Sequence, residues 1–199
     1  MRNQVPRVTA ALIAVNAAVF VLAEIISGST ESTETLIRWG GAYVPYVRSG
    51  SWWRLLTAMF MHAGIRHLIN NMLLLFIMGR HLETLIGSVR FALLYLGSGI
   101  AANYAAYRWY DAQGRNIVAV GASGAIFAVI GALVWIIIRC KGKADGLSMR
   151  QMLILLAFSL YFGFATPSVS NVAHISGLIF GFLLSILLYH KGKGKTYYV

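Results

Sequence analysis

Residues 117–138 read IVAVGASGAIFAVIGALVWIII, a run that contains no charged side chain. A helix that crosses a membrane needs about 20 mostly apolar residues, and this run is long and apolar enough to be one. Its glycines and alanines are the small residues on which helices pack closely inside a membrane. The run therefore predicts a transmembrane helix with close helix neighbours.

Similar apolar runs recur along the chain, which has 199 residues, 58% of them hydrophobic and only 12% charged. Such a composition is far more apolar than that of an ordinary soluble domain. We therefore predict an all-α fold, a polytopic membrane bundle that forms a single domain over residues 1–199. Its six predicted transmembrane helices cover residues 8–27, 64–79, 91–107, 117–138, 152–165 and 172–189.

The basic residues indicate which ends of the spans face the cytoplasm. With the N-terminus inside and six crossings, both termini are cytoplasmic and most of the 17 Lys and Arg residues lie inside, as the positive-inside rule expects. The net charge of +11 forms no basic face with interleaved aromatics, so the expected partner is the lipid bilayer and no nucleic acid. The inside residues are Arg2, Arg7, Arg80, Arg90, Arg139, Lys141, Lys143, Arg150, Lys191, Lys193 and Lys195.

Three features lie outside this regular pattern. The segment 28–61 mixes tyrosine, tryptophan and arginine, the composition of a membrane–water interface, and we predict that it lies partly in the outer interface. Between the fifth and sixth spans, Thr166-Pro167-Ser168 interrupts the apolar pattern and predicts a mobile outer loop. Cys140 is the one cysteine, so it forms no internal disulfide, and it falls at the inner end of the fourth span.

Polar side chains converge on the outer ends of three predicted spans. Ser123 lies near the start of the fourth span and His174 near the start of the sixth. His67 and Asn71 lie near the start of the second. All three spans run inward, so these side chains lie at one depth in the membrane. Placing polar side chains there costs free energy unless they line a common water-accessible cavity.

The surroundings of Ser123 favour a reactive hydroxyl. Gly121 and Gly124 allow a tight turn into a helix, and the start of a helix offers free N–H groups to a developing anion. A histidine within hydrogen-bond reach of a serine acts as its general base. Read singly, the same glycines and serine are also typical of plain helix packing.

His174 is followed by small residues that predict where its helix packs. Gly177 and Gly181 form a Gly-x-x-x-Gly face, and small residues of the fourth span offer it a matching surface. Contact along these faces would bring His174 beside Ser123. If His174 is considered alone, the alternative is a non-catalytic histidine that is hydrogen-bonded to a backbone carbonyl.

His67 and Asn71 are four residues apart and therefore share one helix face. Side-chain donors on one face can stabilise an oxyanion. The alternative is a polar helix–helix contact, which is our interpretation for Asn70 and His62. His81 and His190 lie at inner ends and are predicted to be interfacial.

In this order and spacing, the motifs resemble those of the rhomboid family of intramembrane serine proteases. The resemblance extends from Trp53 to Gly181 and covers most of the chain. The motifs that carry it are Trp53-Arg54, His67-x-x-x-Asn71, Gly79-x-x-x-Glu83-x-x-x-Gly87, Gly121-x-Ser123-Gly124 and Ala173-His174-x-x-Gly177-x-x-x-Gly181.

The resemblance implies that Ser123 attacks a carbonyl and His174 takes its proton, while His67, Asn71 and the Ser123 backbone N–H stabilise the oxyanion. It implies a structural role for Glu83. It also implies single-span or multi-span membrane protein substrates cut near the outer face, no cofactor or metal, and a place in a bacterial inner membrane. The chain matches a six-span core, and the extra cytoplasmic domain and seventh span of some relatives are expected to be absent.

One position departs from the family pattern. The family often has tyrosine four residues after the nucleophile, stacked on the histidine, and this chain has Phe127. A phenylalanine keeps the stack and loses the hydroxyl. Among the few acids, only Asp111 lies in the loop before Ser123, and a buried carboxylate is costly in a membrane. We therefore predict a Ser–His dyad in which Phe127, and no carboxylate, orients His174.

Other classes of protein fit parts of the pattern. A transporter or channel would explain polar residues in spans and a flexible outer loop, but the spans carry no ladder of charges. A metalloprotease is disfavoured because His62 and His67 are five apart and no His-Glu-x-x-His occurs. A non-catalytic membrane protein that binds clients is the remaining alternative, although both Ser123 and His174 are present.

Overall fold

The computed structural model describes residues 6–166 and 170–189 of the chain. Several residues used in the sequence analysis lie outside these ranges: Arg2, Pro167, Ser168, His190, Lys191, Lys193 and Lys195.

Helices account for nearly all of the regular structure, with two pairs of very short antiparallel strands. In chain order the elements are α1 (Arg7–Ser27), α2 (Thr33–Arg38), β1 (Ala42–Tyr43), α3 (Val44–Arg48), α4 (Arg54–Thr57), a 3-10 turn (Ala58–Phe60), α5 (Ile65–Leu74), a π-helical turn (Leu75–Gly79), α6 (Arg80–Ile86), α7 (Ser88–Ala112), β2 (Val118–Ala119), α8 (Ser123–Arg139), β3 (Lys143–Ala144), β4 (Leu147–Ser148), α9 (Met149–Ala165) and α10 (Asn171–Leu188).

Two helices, α1 and α10, are each long and apolar enough to cross a membrane. A third crossing is possible where α4 and its 3-10 turn meet α5 to α6, a pair bent by 92°. The apolar helices α8 and α9 are shorter, with 17 residues each. In the part of the chain that the structure describes, two or three helices thus meet the length and composition of a span, against the six predicted.

Local features of α7 and α8 explain why fewer helices than predicted meet the length and composition of a span. The predicted fourth span begins at Ile117, but Val118 and Ala119 pair with residues of β1 as a strand, so α8 starts only at Ser123. α7 has 25 residues, which is enough length, but Asn103 and its four tyrosines lower its mean hydropathy. Asn103 of α7 is buried and donates to the carbonyl of Leu55 at 2.8 Å.

α8 is the buried centre of the bundle, and α7 and α10 pack on it. Along its contact with α10 the two backbones approach so closely that side chains are excluded. A methyl group added at Gly177 would overlap the Gly124 carbonyl, and one at Gly181 would overlap the Ala128 carbonyl. The predicted contact between these two helices along small residues is confirmed.

Glu83 joins the start of α1 to the start of α7. Its carboxylate accepts hydrogen bonds from the backbone N–H groups of Val8 at 3.0 Å and Thr9 at 2.8 Å. It also accepts from the hydroxyls of Thr9 at 2.8 Å and Ser88 at 2.6 Å. The first N–H groups of a helix have no partner within it, so this buried carboxylate caps α1. These contacts give Glu83 the structural role that was expected of it.

The segment 28–61 is folded into short helices rather than an extended loop. It contains α2, α3 and α4, and its strand β1 pairs with β2 so that Ala42 faces Ala119 and Tyr43 faces Val118. This pairing attaches the segment to the stretch of chain that leads into α8.

Arg54 holds the segment 28–61 together from within. Its Nη1 atom donates to the carbonyls of Ile37 at 2.6 Å and Gly41 at 2.9 Å. Its guanidinium lies 4.9 Å from the ring centroid of Tyr46 and 4.6 Å from that of Trp53. The Trp53-Arg54 motif is therefore a structural element that closes the segment over the end of the bundle where α8 begins.

Candidate active site

Ser123 is the first residue of α8 and is half-buried. The residue before it, Ala122, has a methyl side chain that cannot cap the helix. The first hydrogen bond within α8 runs from the Ile126 N–H to the Ala122 carbonyl at 3.0 Å. The N–H groups of Ser123 and Gly124 precede that bond, so they remain as donors beside the Ser123 hydroxyl.

Gly121 forms the turn that places Ser123. Its φ of +115° is one that residues with a Cβ rarely adopt. A Cβ at this position would lie 2.8 Å from His67 Nε2 and 3.8 Å from Ser123 Oγ. The N–H of Gly121 donates to the Ala58 carbonyl at 2.9 Å, and this bond attaches the turn at Gly121 to the 3-10 turn that begins at Ala58. Gly121 therefore leaves the room in which His67 and Ser123 lie close together.

His67 presents its Nε2 atom to this turn. The other ring nitrogen, Nδ1, lies 3.3 Å from the backbone N–H of Ala63, from which it accepts a hydrogen bond. An imidazole nitrogen that accepts carries no proton, so in the neutral ring the proton is on Nε2. The geometry thus makes Nε2–H a donor on the side of Gly121 and Ser123.

Asn71 is buried on the same face of α5 as His67. Its amide Nδ2 donates to the backbone carbonyl of His67 at 3.0 Å. The sequence predicted that Asn71 donates into the shared cavity, whereas here one amide hydrogen is used within its own helix. The second amide hydrogen is left for another acceptor.

His174 lies in the first turn of α10 and is buried. Its ring stacks on Phe127, with 4.2 Å between centroids and 10° between planes. Phe127 is one helical turn after Ser123 and shares its helix face, so the stack holds the imidazole on the serine's side of α8. The predicted stacking of Phe127 on His174 is confirmed.

The Nδ1 atom of His174 is buried and has no hydrogen-bond partner among residues 6–166 and 170–189. Asp111, the acid singled out by sequence, instead pairs with Arg48, whose Nη2 lies 2.5 Å and Nε 2.7 Å from its Oδ1 atom. The carboxylate of Asp111 is thus paired with Arg48 of the segment 28–61.

His62 is a site residue that sequence reasoning assigned only to polar helix contacts. It is fully buried, and its ring centroid lies 5.0 Å from that of His67. Its Nε2 accepts a long hydrogen bond of 3.5 Å from the Ala122 N–H, directly before Ser123. The sequence offered one sign of a turn near His62, namely Gly64 two residues on, a residue type that readily adopts the positive φ found there.

Together these features define a class: a helical membrane-type protein in which a serine begins a helix next to the turn that His67 approaches, one helical turn before the phenylalanine on which His174 stacks. Comparison of the chain with protein families identifies the family. The family model described as the Rhomboid domain matches residues 49–191. The chain belongs to the rhomboid family.

Individual relatives support this assignment over different lengths. The chain is 36% identical to the rhomboid protease GluP of Bacillus subtilis (strain 168) over 187 residues, which are 94% of this chain and 36% of GluP. It is 37% identical to YdcA of the same organism over 150 residues, 75% of this chain and 73% of YdcA. It is 35% identical to the mitochondrial RHOMBOID-like protein 6 of Arabidopsis thaliana over 164 residues, 79% of this chain and 50% of that protein.

Proposed function

We propose that this protein is an intramembrane serine endopeptidase that cleaves transmembrane segments of other membrane proteins near the outer face of the bilayer. The observation that carries the proposal is the stack of His174 on Phe127, which lies one turn from Ser123 in a rhomboid-family chain. The excluded side chains at Gly177 and Gly181 fix α10 against α8, so the two helix starts stay together.

The chemistry follows from the types of group present. Ser123 Oγ attacks the scissile carbonyl while its proton passes to His174, which then protonates the leaving amine. The Ser123 N–H, the Nε2–H of His67 and the free amide hydrogen of Asn71 are the donors for the oxyanion. Water then hydrolyses the acyl-enzyme, with His174 again acting as the general base.

The proposed setting is a single domain with six spans and both termini in the cytoplasm of a bacterium. A helix of 17 residues extends about 26 Å, less than the hydrocarbon core of about 30 Å. Ser123 at the outer end of such a short helix lies below the membrane boundary, where a water-filled cavity can reach it. Relatives in Bacillus subtilis support a bacterial cytoplasmic membrane.

The dyad predicts opposite results for two substitutions. Phe127→Ala is expected to lower kcat about 10–100-fold, because a histidine freed from its stack loses orientation. Phe127→Tyr keeps the ring and should retain most activity, which separates orientation from general packing. Asp111→Asn should remain near the wild-type rate. Near-complete inactivity of Asp111→Asn together with normal activity of Phe127→Ala would establish a triad instead.

Substrate preference should follow from helix physics. A regular transmembrane helix uses its carbonyls in internal hydrogen bonds, so a cleavable segment must unwind near the outer boundary. Gly or Pro placed just below that boundary in a model single-span substrate is expected to increase the cleavage rate. The assay compares such substrates with a matched Leu-rich helix in liposomes. Equal cleavage of both would contradict the proposed substrate class.

A further inference from the structure

An open apolar groove of about 400 Å³ lies where the start of α1 meets α7. Ser123 begins α8 at the outer end in the proposed topology, whereas this groove lies at the inner end. The groove takes no part in the proposed proteolytic mechanism. Its lining residues are Val8, Ser88, Val89, Ala92, Leu93, Leu96 and Gly97.

The groove is a built feature of the two helices. Glu83 fixes its inner end by accepting hydrogen bonds from Val8 and Ser88. Further along α7, Gly97 has no side chain, and a Cβ there would meet nothing within 4 Å. The groove therefore exists because α1 and α7 are held together at one end and a small residue leaves space at the other.

The length of the groove corresponds to one leaflet of a bilayer. From Ser88 to Gly97 the α-helix rises about 14 Å at 1.5 Å per residue. Half of the hydrocarbon core of about 30 Å is about 15 Å. A lipid acyl chain that enters at the inner interface would thus follow the groove to the middle of the membrane.

Two exposed arginines are adjacent in sequence to residues that line the groove. Arg7 directly precedes the lining residue Val8, Arg90 directly follows the lining residue Val89, and both arginines are exposed. Guanidinium groups bind phosphate through paired hydrogen bonds. The carboxylate of Glu83 is buried, accepts hydrogen bonds from backbone and hydroxyl donors, and is not among the groups that line the groove.

We propose that an anionic phospholipid of the inner leaflet binds here, with an acyl chain in the groove and its phosphate between Arg7 and Arg90. The proposal rests on the topology given under Proposed function. It does not depend on the chemistry at Ser123, so the two can fail separately.

The test is native mass spectrometry of the full-length protein in a neutral detergent, titrated with phosphatidylglycerol or with phosphatidylcholine of the same chains. Wild type is expected to bind phosphatidylglycerol more tightly. If each arginine beside the bound phosphate contributes about 1 kcal/mol, or about fivefold, Arg7→Gln with Arg90→Gln should lower the phosphatidylglycerol affinity about 25-fold. Arg150→Gln removes another exposed inner arginine away from the groove and should leave the affinity unchanged.

A second variant tests the acyl chain. A Cβ at Gly97 would meet nothing within 4 Å, so Gly97→Leu should occupy the groove and weaken the binding of both lipids several-fold, with an unchanged circular dichroism spectrum. The proposal is overturned if wild type binds the two lipids with equal affinity. It is also overturned if Arg150→Gln lowers the phosphatidylglycerol affinity as much as the double variant does, or if Gly97→Leu leaves the affinity for both lipids unchanged. Ser123→Ala should bind lipid like wild type whatever its proteolytic activity, which separates this test from that of the proposed function.

Discussion

His174→Ala is expected to lower kcat for a model transmembrane substrate by about 10⁴-fold or more. A serine hydroxyl without a base is a poor nucleophile near neutral pH, and loss of either member of such a pair removes most of the acceleration. The measurement is single-turnover cleavage in liposomes, with folding checked by circular dichroism.

His81→Ala provides the matched control for this substitution. His81 lies at the other end of the bundle, where its Nδ1 is 2.8 Å from Asp145 Oδ2. Its removal should leave the cleavage rate close to that of wild type. A folded His174→Ala variant that retained substantial turnover would exclude His174 as the general base.

Asn71→Ala is expected to lower kcat by about 10–1000-fold, the range for removing one side-chain donor to an oxyanion. KM should change little, because the lost bond forms mainly in the transition state. The structure leaves one amide hydrogen for this role, since the other bonds to the His67 carbonyl.

The neighbouring Asn70 is exposed and supplies the control. Asn70→Ala should retain the wild-type rate, because its side chain lies outside the cavity. If Asn71→Ala were as active as Asn70→Ala, the amide of Asn71 would serve only to bond its own helix.

Features that follow from the spacing of residues within a single helix were predictable. The contact between α8 and α10 follows from small residues at helical spacing, such as Gly177 and Gly181. The stack of Phe127 on His174 was implied by the family resemblance, and the helix period adds only that Phe127 shares a face with Ser123.

Features that depend on distant pairs were not predictable from local pattern. The start of α8 is set by pairing of Val118 with Tyr43, which no apolar run reveals. His62 reaches Ala122 across 60 positions of sequence. The segment 28–61 has interfacial composition, yet its short helices form around Arg54, whose carbonyl partners lie 13 and 17 positions earlier.

Covalent labelling tests the central claim most directly. Detergent-purified protein is incubated with a fluorophosphonate probe, and the labelled residue is mapped by peptide mass spectrometry. Ser49 is exposed, whereas Ser123 is half-buried, so labelling by access alone would favour Ser49. Activation predicts an adduct on Ser123 that persists in Ser49→Ala and disappears in Ser123→Ala. An adduct that persists in Ser123→Ala, or no adduct on wild-type protein that cleaves substrate, would contradict a serine nucleophile at this position.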